Sequence, residues 1–526
     1  MAADRHDAVV IGAGPNGLVA ANLLADAGWD VLVVEAGPRP GGAVRTEELT
    51  APGFRNDVFS AFYPLAAASP VIAALDLEAH GLRWRHAPLA VAHPTPGGPA
   101  AVVSRRPGET AASLDRFAPG SGEAWERLDA RWQELGGPLL DALLAPLPPL
   151  RHGARLAARV GPRRWLDVAR FALLPVRRMA EEERLGEGGA LLLAGNALHS
   201  DLAPGSNLSG LFGWLLVSLG QQVGFPVPAG GAQALADALV ARLAARGGRV
   251  VCGHPVEEVL VEGGTARGVV VDGSPILARR AVVAACHAEI LYRRLVPADV
   301  LPPAFRDRLA RFQRGDGTVK VDWALRAPIP WTDPDVRRAG TVHIADSLDE
   351  LTMTAAELAC GLVPRSPFVV LGQMTTADPS RSPAGTESAW GYTHVPGTVA
   401  GDAAGRITGR WDAADREAIV ERIEARVEAQ APGFRDLILE RHVMTPEGLE
   451  AANPSLVGGD IGGGTHQLHQ QLVLRPVPGW STAATPVRRL YLGSSSAHPG
   501  GGVHGACGAN AARAALRRDR WRRRPR

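Results

Sequence analysis

Residues 7–17 read Asp7-Ala-Val-Val-Ile11-Gly12-Ala-Gly14-Pro15-Asn16-Gly17, and this stretch decides the fold. Its apolar start predicts a buried parallel strand, its glycines predict a tight turn, and residues 18–27 predict a helix. Gly28 ends that helix, and residues 29–34 predict a second strand that stops at Glu35. Together these elements form a β-α-β unit, which predicts an α/β, doubly wound (Rossmann-like) domain.

The glycine turn matches the dinucleotide-binding pattern G-x-G-x-x-G, and each position has a physical task. Gly12 permits the turn, Gly14 lets the backbone approach a pyrophosphate, and Gly17 lets helix and sheet pack closely. Pro15 and Asn16 open the helix, whose free N–H groups attract an anion. A glycine turn without a ligand is the alternative, and the strand and helix around it make that alternative weak.

The residues from Glu35 onward indicate which dinucleotide is bound. Glu35 ends the second strand, where its carboxylate can accept both hydrogen bonds of a ribose diol. Residues 35–46, Glu-Ala-Gly-Pro-Arg-Pro-Gly-Gly-Ala-Val-Arg-Thr, resemble the extended FAD signature of the glutathione-reductase and amine-oxidase class. The resemblance implies FAD contacts at Ala36, Gly41 and Gly42. It places Arg45 by the phosphates or the flavin edge, and a surface ion pair is the alternative for that residue.

Residues 490–512 form the second cofactor segment, Leu-Tyr-Leu-Gly-Ser-Ser-Ser-Ala-His-Pro-Gly-Gly-Gly-Val-His-Gly-Ala-Cys-Gly-Ala-Asn-Ala-Ala. They resemble the closing motif of bacterial-type phytoene desaturases, and are most similar to the family named pyridine nucleotide-disulfide oxidoreductase domain-containing protein 2. Residues 458–461 and 475–478 share that resemblance.

A helix from about Val503 is expected after the glycine loop. Free N–H groups near Gly502 and Val503 would then face the flavin pyrimidine carbonyl and stabilise the negative charge that reduction places there. An ordinary helix N-terminus is the alternative reading. Gly493 and Gly501 are further candidate contacts, and the resemblance implies that the Val256 backbone meets the adenine.

The cysteines contradict the disulfide part of that family name. Cys252, Cys286, Cys360 and Cys507 lie far apart, with no C-x-x-C and no zinc spacing. We therefore expect no redox dithiol, no metal site and a reducing cytoplasmic location. No second G-x-G-x-x-G lies between a strand and a helix, so no NAD(P)H site is expected, and electrons should leave to oxygen or a quinone.

Three residues are candidates for the chemistry. Lys320 is the single lysine among 56 basic residues, and its strand resembles the amine-oxidase strand whose lysine holds a water against flavin N5. A chance lysine at a strand edge is the equal alternative. His498 and His504 flank the glycine loop and could move protons, or could simply bond the backbone.

Charge and hydropathy limit the partners. With 56 basic and 54 acidic residues the net charge is +2, so no field attracts nucleic acid. The arginine-rich end, residues 517–526, is expected to be a solvated terminus that could touch anionic lipid. Residues 211–219 are too few to span a membrane, and the segment 207–228 is either plain core or the lining of an apolar tunnel that could dip into a bilayer. Peripheral membrane contact is therefore a possibility that the sequence leaves open.

These observations predict a discontinuous FAD-binding domain with an α+β substrate domain that bears a helical insertion, as in amine oxidases and phytoene desaturases. The expected segments are 1–65, 228–295 and 485–526 for FAD, 66–227 for the helical insertion, and 296–484 for the substrate domain. The expected function is an FAD-dependent dehydrogenase, desaturase or oxidase of a small apolar substrate. Carotenoid or terpenoid desaturase, amine oxidase and a non-catalytic flavin-binding scaffold are the alternatives, and the oligomeric state stays open.

Overall fold

The computed structural model describes residues 4–522. Residues 523–526 of the arginine-rich end, for which a solvated terminus is expected, lie outside the described residues. The strands in chain order are β1 Asp4–Ile11, β2 Val31–Glu35, β3 Thr46–Glu47, β4 Asn56–Asp57, β5 Trp84–Arg85, β6 Leu89–His93, β7 Ala101–Val103, β8 Val227–Pro228, β9 Arg249–Cys252, β10 Val256–Glu262, β11 Thr265–Val271, β12 Ser274–Ala284, β13 Gly317–Leu325, β14 Ala339–Ile344, β15 Leu362–Val363, β16 Val369–Gln373, β17 Glu387–Val395, β18 Gly401–Asp402, β19 Ile438–Met444 and β20 Leu490–Leu492.

The α-helices in chain order are α1 Pro15–Asp26, α2 Pro64–Ala68, α3 Pro70–Ala73, α4 Pro107–Asp115, α5 Ser121–Leu144, α6 Leu150–Val160, α7 Trp165–Leu173, α8 Val176–Glu183, α9 Gly186–Leu198, α10 Ser209–Gln222, α11 Gln233–Ala245, α12 Ala288–Ile290, α13 Pro303–Leu309, α14 Leu348–Ala359, α15 Met374–Ala377, α16 Ala413–Gln430, α17 Pro446–Ala452 and α18 Ala506–Arg522. Among the described residues, no helix combines the length and the apolar character that crossing a membrane requires.

The first sheet is the doubly wound sheet that the N-terminal motif predicts. Its strand order is β10-β11-β12-β1-β2-β9, and β20 also pairs with β12. The central strands β20, β12, β1, β2 and β9 are parallel, whereas β10 and β11 pair antiparallel. Strands from three separated parts of the chain therefore build one sheet, and the predicted discontinuous FAD-binding fold is confirmed.

The second sheet has the order β19-β13-β17-β16-β14-β6-β7. One face is mainly apolar, with Val319, Val321 and Trp323 of β13 packed in the same cluster as Ile419 and Ile423 of α16. Alternation along a strand sends the next side chains to the opposite face, which turns toward the cofactor lobe and the helices α9 and α10. The chemistry-bearing residues of the substrate lobe lie on that second face.

Two details differ from the sequence-based expectation. The segment 66–227 is mainly helical but also contributes β6 and β7 to the second sheet, where β6 runs parallel to β14. These apolar runs are short, and the strand β14 that pairs with β6 lies far along the chain, so local periodicity did not reveal them. The last helix begins at Ala506, three residues after the expected start at Val503.

Candidate functional site

The glycine turn has the geometry that its sequence predicts. Helix α1 begins at Pro15 with Gly14 as its N-cap, and Gly12 has a φ of +93°. A Cβ on Gly17 would overlap the carbonyl oxygen of Gly12, so only glycine lets the helix approach the turn. A Cβ on Gly14 would meet just Gly42 Cα, at 3.8 Å, so packing within the chain does not require glycine there. The room in front of Gly14 fits a closely approaching pyrophosphate.

Glu35 closes the other side of this turn. Its carboxylate accepts hydrogen bonds from the N–H of Ala13 at 2.6 Å and of Gly37 at 2.8 Å. The N–H of His254 donates to the Glu35 carbonyl oxygen at 3.0 Å, which brings the start of β10, with Val256, beside the end of β2. Ala36 is exposed at the same edge. This arrangement fits an adenosine whose ribose meets Glu35.

The segment after Glu35 folds back onto the glycine turn. The Gly41 N–H donates to the Ala13 carbonyl at 3.0 Å, and a Cβ on Gly42 would lie 2.9 Å from Gly14 Cα. Arg45 follows, with its guanidinium 5.2 Å from the Phe59 ring centroid and Nε 3.4 Å from the Glu47 carboxylate. That Nε is buried and has no hydrogen-bond partner within residues 4–522. The contact with Glu47 is the ion pair that the sequence left as the alternative for Arg45, while the buried Nε–H keeps a donor that a phosphate or flavin oxygen could accept.

The two cofactor segments meet directly. A Cβ on Gly508 of α18 would overlap the carbonyl oxygen of Asn16, and the Gly508 N–H lies 3.4 Å from Asn16 Oδ1. Gly493 donates its N–H to the Ala284 carbonyl at 2.8 Å, which fixes the end of β20 to β12. The glycine loop 500–502 therefore leads into a helix that packs against the N-terminus of α1.

The N–H groups of Gly502 and Val503 belong to the loop before α18 and not to the helix itself. Gly502 is exposed with a φ of +104°, and Val503 is half-buried. The helix is preceded by His504, whose Nδ1 accepts a hydrogen bond from the Ala506 N–H at 3.0 Å. The prediction that α18 begins at Val503 is therefore wrong by three residues. The positive end of the helix dipole lies at Ala506, where His504 accepts a backbone N–H.

His498 and His504 are both buried and bonded to backbone. His498 Nε2 lies 3.1 Å from the Ala145 carbonyl oxygen, and the His504 ring bonds to the backbone of Gly500 and Gly501. Burial lowers the pKa of each imidazole to about 4, so both are neutral at neutral pH. His466 receives the Gly501 N–H at 3.3 Å, and burial lowers its pKa to about 3. A proton-transfer role for His498 and His504 stays a prediction.

A pair of charged residues that the sequence analysis did not assign a role orders the loop against Gly501. The Asp460 carboxylate accepts the N–H groups of residues 462–464 and of Gly315 at 2.6–3.1 Å. The fully buried Arg475 guanidinium donates to the carbonyl oxygens of residues 462–465 and of Ser495 at 2.8–3.3 Å. Arg475 thus ties this loop to the start of the flavin-closing segment. The signal for this pair was an aspartate inside a glycine run, followed by an arginine.

Lys320 lies on β13 within a buried cluster of charges. Its Nζ is 2.5 Å from both carboxylate oxygens of Asp322, two residues on and therefore on the same face. Burial raises the pKa of Asp322, and Lys320 opposes that shift. A second buried pair, Arg381 and Asp57 at 2.9 Å, lies near enough for Asp57 to raise the pKa of Asp322 further. A water held by Lys320 against the flavin stays a prediction.

The aromatic side chains beside Lys320 come from β17. Tyr392 lies directly opposite Lys320 and stacks on Trp390 with ring centroids 5.9 Å apart, and Phe62 lies 6.1 Å from Trp390. His394 follows on the same face, where its buried ring lies against the backbone of Gly317 and Leu198. Burial lowers its pKa to about 4.

Two carboxylates, those of Asp201 and Asp460, act on this histidine, and the carboxylate of Asp316 lies near both. Asp201 Oδ1 lies 3.7 Å from His394 Nε2, and the Asp201 and Asp460 side chains both border Gly315. Burial, with the neighbouring carboxylates of Asp316 and Asp460, raises the pKa of Asp201 well above its ordinary value. Burial raises the pKa of Asp316 to about 6.

Part of the segment 207–228 lies in the hydrophobic core, and part lies beside the candidate site. Trp214 of α10 is buried, with its ring edge-on to Trp132 at 5.3 Å and to Phe171 at 5.1 Å. Phe212 is half-buried, and its ring centroid lies 6.4 Å from that of His466. One part of the segment is thus plain core, and a tunnel beside Phe212 stays a prediction.

A doubly wound sheet completed by both cofactor segments, beside a second sheet that presents a lysine and aromatic side chains, defines the class of FAD-dependent oxidoreductases. Residues 10–75 match the model of the NAD(P)-binding Rossmann-like domain, and residues 102–516 match the model named Flavin containing amine oxidoreductase. The chain belongs to the flavin-containing amine oxidoreductase family, and its cofactor is FAD.

Similar proteins agree with this assignment. The rat pyridine nucleotide-disulfide oxidoreductase domain-containing protein 2 is 31% identical over 98% of this chain and 94% of its own length. One of the subunits of limonene dehydrogenase from Castellaniella defragrans is 23% identical over 96% of this chain and 94% of its own. The crystal structure of an oxidoreductase from Methanosarcina mazei covers 98% of this chain and 100% of its own, with a TM-score of 0.63 and 16% identity. This last likeness shows the fold alone.

Proposed function

We propose that this FAD-dependent oxidoreductase is a dehydrogenase that removes two hydrogens from an apolar organic substrate, with terpenoid hydrocarbons as the first class to test. The observation that carries the proposal is the stacked pair Trp390 and Tyr392, with Phe62 against Trp390, on the face that also bears Lys320. Aromatic rings bind apolar substrates by area and orient them by their flat faces. The similarity to a limonene dehydrogenase polypeptide supports the substrate class.

The proton balance needs a base. Bound FAD supplies a two-electron acceptor. The second hydrogen of the substrate leaves as a proton, and His394 is the neutral, buried imidazole beside Tyr392 that can accept it at whichever ring nitrogen carries no proton. In its carboxylate form Asp201, whose Oδ1 lies 3.7 Å from His394 Nε2, would stabilise the imidazolium by charge. Arg475, Asp460 and the loop they order would keep the flavin-closing segment in place and exclude water.

Electrons are proposed to leave to oxygen or a quinone. A nicotinamide cofactor would need a second dinucleotide-binding turn between a parallel strand and a helix. The second sheet has mixed strand directions, and the glycine-rich loop at Asp460 follows a short 3-10 turn and not a strand. Neither part of the described chain therefore provides such a turn.

Amine oxidation is the second candidate. The observation that favours it is the group of carboxylates Asp201, Asp316 and Asp460 near His394, because carboxylates would pair with an incoming ammonium. The matching family model is also one of amine oxidoreductases.

The test is anaerobic bleaching of the flavin spectrum by a panel of monocyclic terpenes, linear polyenes, alcohols and primary amines. Bleaching by a terpene or polyene supports the proposal, and bleaching by amines alone replaces it with the second candidate. His394→Gln should slow reduction by about 10²-fold or more if the imidazole accepts the proton. The control His469→Gln changes an exposed histidine and should leave the rate unchanged. A flavin that dithionite bleaches but no member of the panel does would refute the proposal.

A further inference from the structure

Helices α6 and α7 carry apolar side chains into solvent. Leu150 is 75% exposed, Leu166 80%, Trp165 49% and Leu173 47%. From residue 148 to residue 170 only Val160 is buried. A soluble domain seldom leaves such side chains uncovered in one continuous stretch, so this stretch marks an interaction surface.

Helical spacing shows that the apolar side chains form faces. On α7, Trp165, Ala169 and Leu173 recur every four residues and Leu166 lies beside them, while the buried Phe171 points to the opposite side. On α6, Val160 faces the protein, and Leu150 and Ala154 are exposed on another side. Each helix therefore has apolar side chains on the side that packs against the protein and also on part of its outer side. A helix whose outer side faced only water would have polar side chains there.

Arginines border these faces. Arg151, Arg155 and Arg159 form a stripe along α6 at intervals of four residues, and Arg163 lies in the turn before α7. All four are exposed, and within residues 4–522 Arg151, Arg155 and Arg163 make no ion pair. Asp167 is the one acidic residue between 148 and 173. The net charge of this stretch is therefore strongly positive, although that of the whole chain is only +2.

We propose that α6 and α7 dock the enzyme on an anionic phospholipid bilayer. Leucine and tryptophan side chains suit the boundary between headgroups and acyl chains, where an indole ring has its apolar body buried and its N–H wet. Arginines beside them pair with lipid phosphates. The surface formed by α6 and α7 is neither of the two segments for which the sequence suggested membrane contact. Trp214 of the first, residues 207–228, is buried, and the second, the arginine-rich end, is a separate part of the chain. The inference goes beyond the proposed function and does not depend on it.

The experiment uses the full-length flavin-loaded enzyme and sedimentation with vesicles of phosphatidylcholine, either alone or mixed with phosphatidylglycerol. Wild-type enzyme should bind the anionic vesicles, and less tightly as salt increases. Arg151→Gln, Arg155→Gln and Arg163→Gln combined should weaken binding on the order of a hundredfold, because each of the three arginines is expected to pair with the anionic lipid surface. Trp165→Ser, Leu166→Ser and Leu173→Ser combined should weaken it at least about tenfold.

Matched controls come from the other surfaces. Arg294→Gln, Arg306→Gln and Arg311→Gln remove the same charge from three exposed arginines elsewhere on the surface, which make no ion pair with any residue that the structure describes. Met353→Ser and Leu439→Ser remove exposed apolar side chains, 61% and 50% accessible, from the substrate lobe. Both sets should bind vesicles as wild type does. An unchanged flavin spectrum and melting temperature verify that each variant is folded.

Two results would overturn the proposal. One is wild-type enzyme that binds neither kind of vesicle, or α6 and α7 variants that bind as tightly as the controls. The other is concentration-dependent self-association of the wild type that the serine variants abolish, since these helices would then be an interface between copies of the chain.

Discussion

Replacing Arg475 by methionine should loosen the flavin more than any comparable surface change. The guanidinium is fully buried and donates to five backbone carbonyls, those of residues 462–465 and of Ser495. Each buried acceptor left without a donor costs about 1–3 kcal/mol, and loop relaxation should rescue some of them, so the loss is about 3–6 kcal/mol. At a few degrees per kcal/mol, the melting temperature falls by about 10 °C. Arg475→Lys should fall between methionine and wild type, because one ammonium cannot reach all five carbonyls.

The assay follows the fluorescence of released flavin during heating, with the flavin-to-protein ratio after gel filtration as a second measure. Arg308→Met is the control, since this exposed arginine also bonds a carbonyl, that of Pro478 at 2.8 Å. Its melting temperature should change by no more than a degree or two, because a surface bond contributes less than about 1 kcal/mol. If Arg475→Met released flavin at the wild-type temperature, the ordering role of this residue would be wrong.

Three further predictions concern other parts of the site. Gly508→Val should abolish flavin retention, because its side chain would overlap the Asn16 carbonyl, and the ratio of flavin to protein measures this. Lys320→Met should cost about 3–5 kcal/mol by leaving Asp322 buried and unpaired, and Lys320→Met with Asp322→Leu should recover part of that free energy of unfolding in denaturant titrations. The buried site histidines have pKa values of about 3 to 4, below the unfolded value of about 6.5, so the unfolded chain binds more protons in between. Stability should therefore fall by on the order of 2 kcal/mol per histidine between about pH 7 and about pH 5, as thermal melts would show.

Each of these three predictions has a result that would contradict it. A Gly508→Val enzyme that keeps its flavin would mean that α18 and α1 do not pack as described. A double variant at 320 and 322 no more stable than Lys320→Met would mean that the ion pair is not the source of the loss. Melting temperatures equal at about pH 7 and about pH 5 would mean that the histidines titrate normally in the folded protein.

The sequence predicted well what short-range patterns determine. The turn from Gly12 to Gly17, the helix that follows it and the strand that ends at Glu35 depend on residues within one β-α-β unit, and all appear in the structure. The start of α18 was misplaced because glycines continue to Gly505, and the histidine cap was not recognised.

What the sequence missed depends on distant partners. The strand β6 pairs with β14 about 250 residues later, and Arg475 bonds both a loop before it and Ser495 after it. No local periodicity records such pairings. The exception is Asp322, whose position two residues from Lys320 on one strand was visible, and a lysine and an aspartate at that spacing share a face.

The packing of Gly508 on Asn16 bears on how the enzyme matures in a cell. These two residues are 492 positions apart, and ribosomes add about 5–20 residues per second. The C-terminal part of the FAD site is therefore synthesised roughly 25–100 s after the N-terminal part. During that interval the nascent chain has a finished β-α-β unit without its closing helix. Capture of the flavin is therefore a late event in biogenesis, and a shortage of riboflavin should burden the cell with nearly complete apoprotein rather than with early fragments.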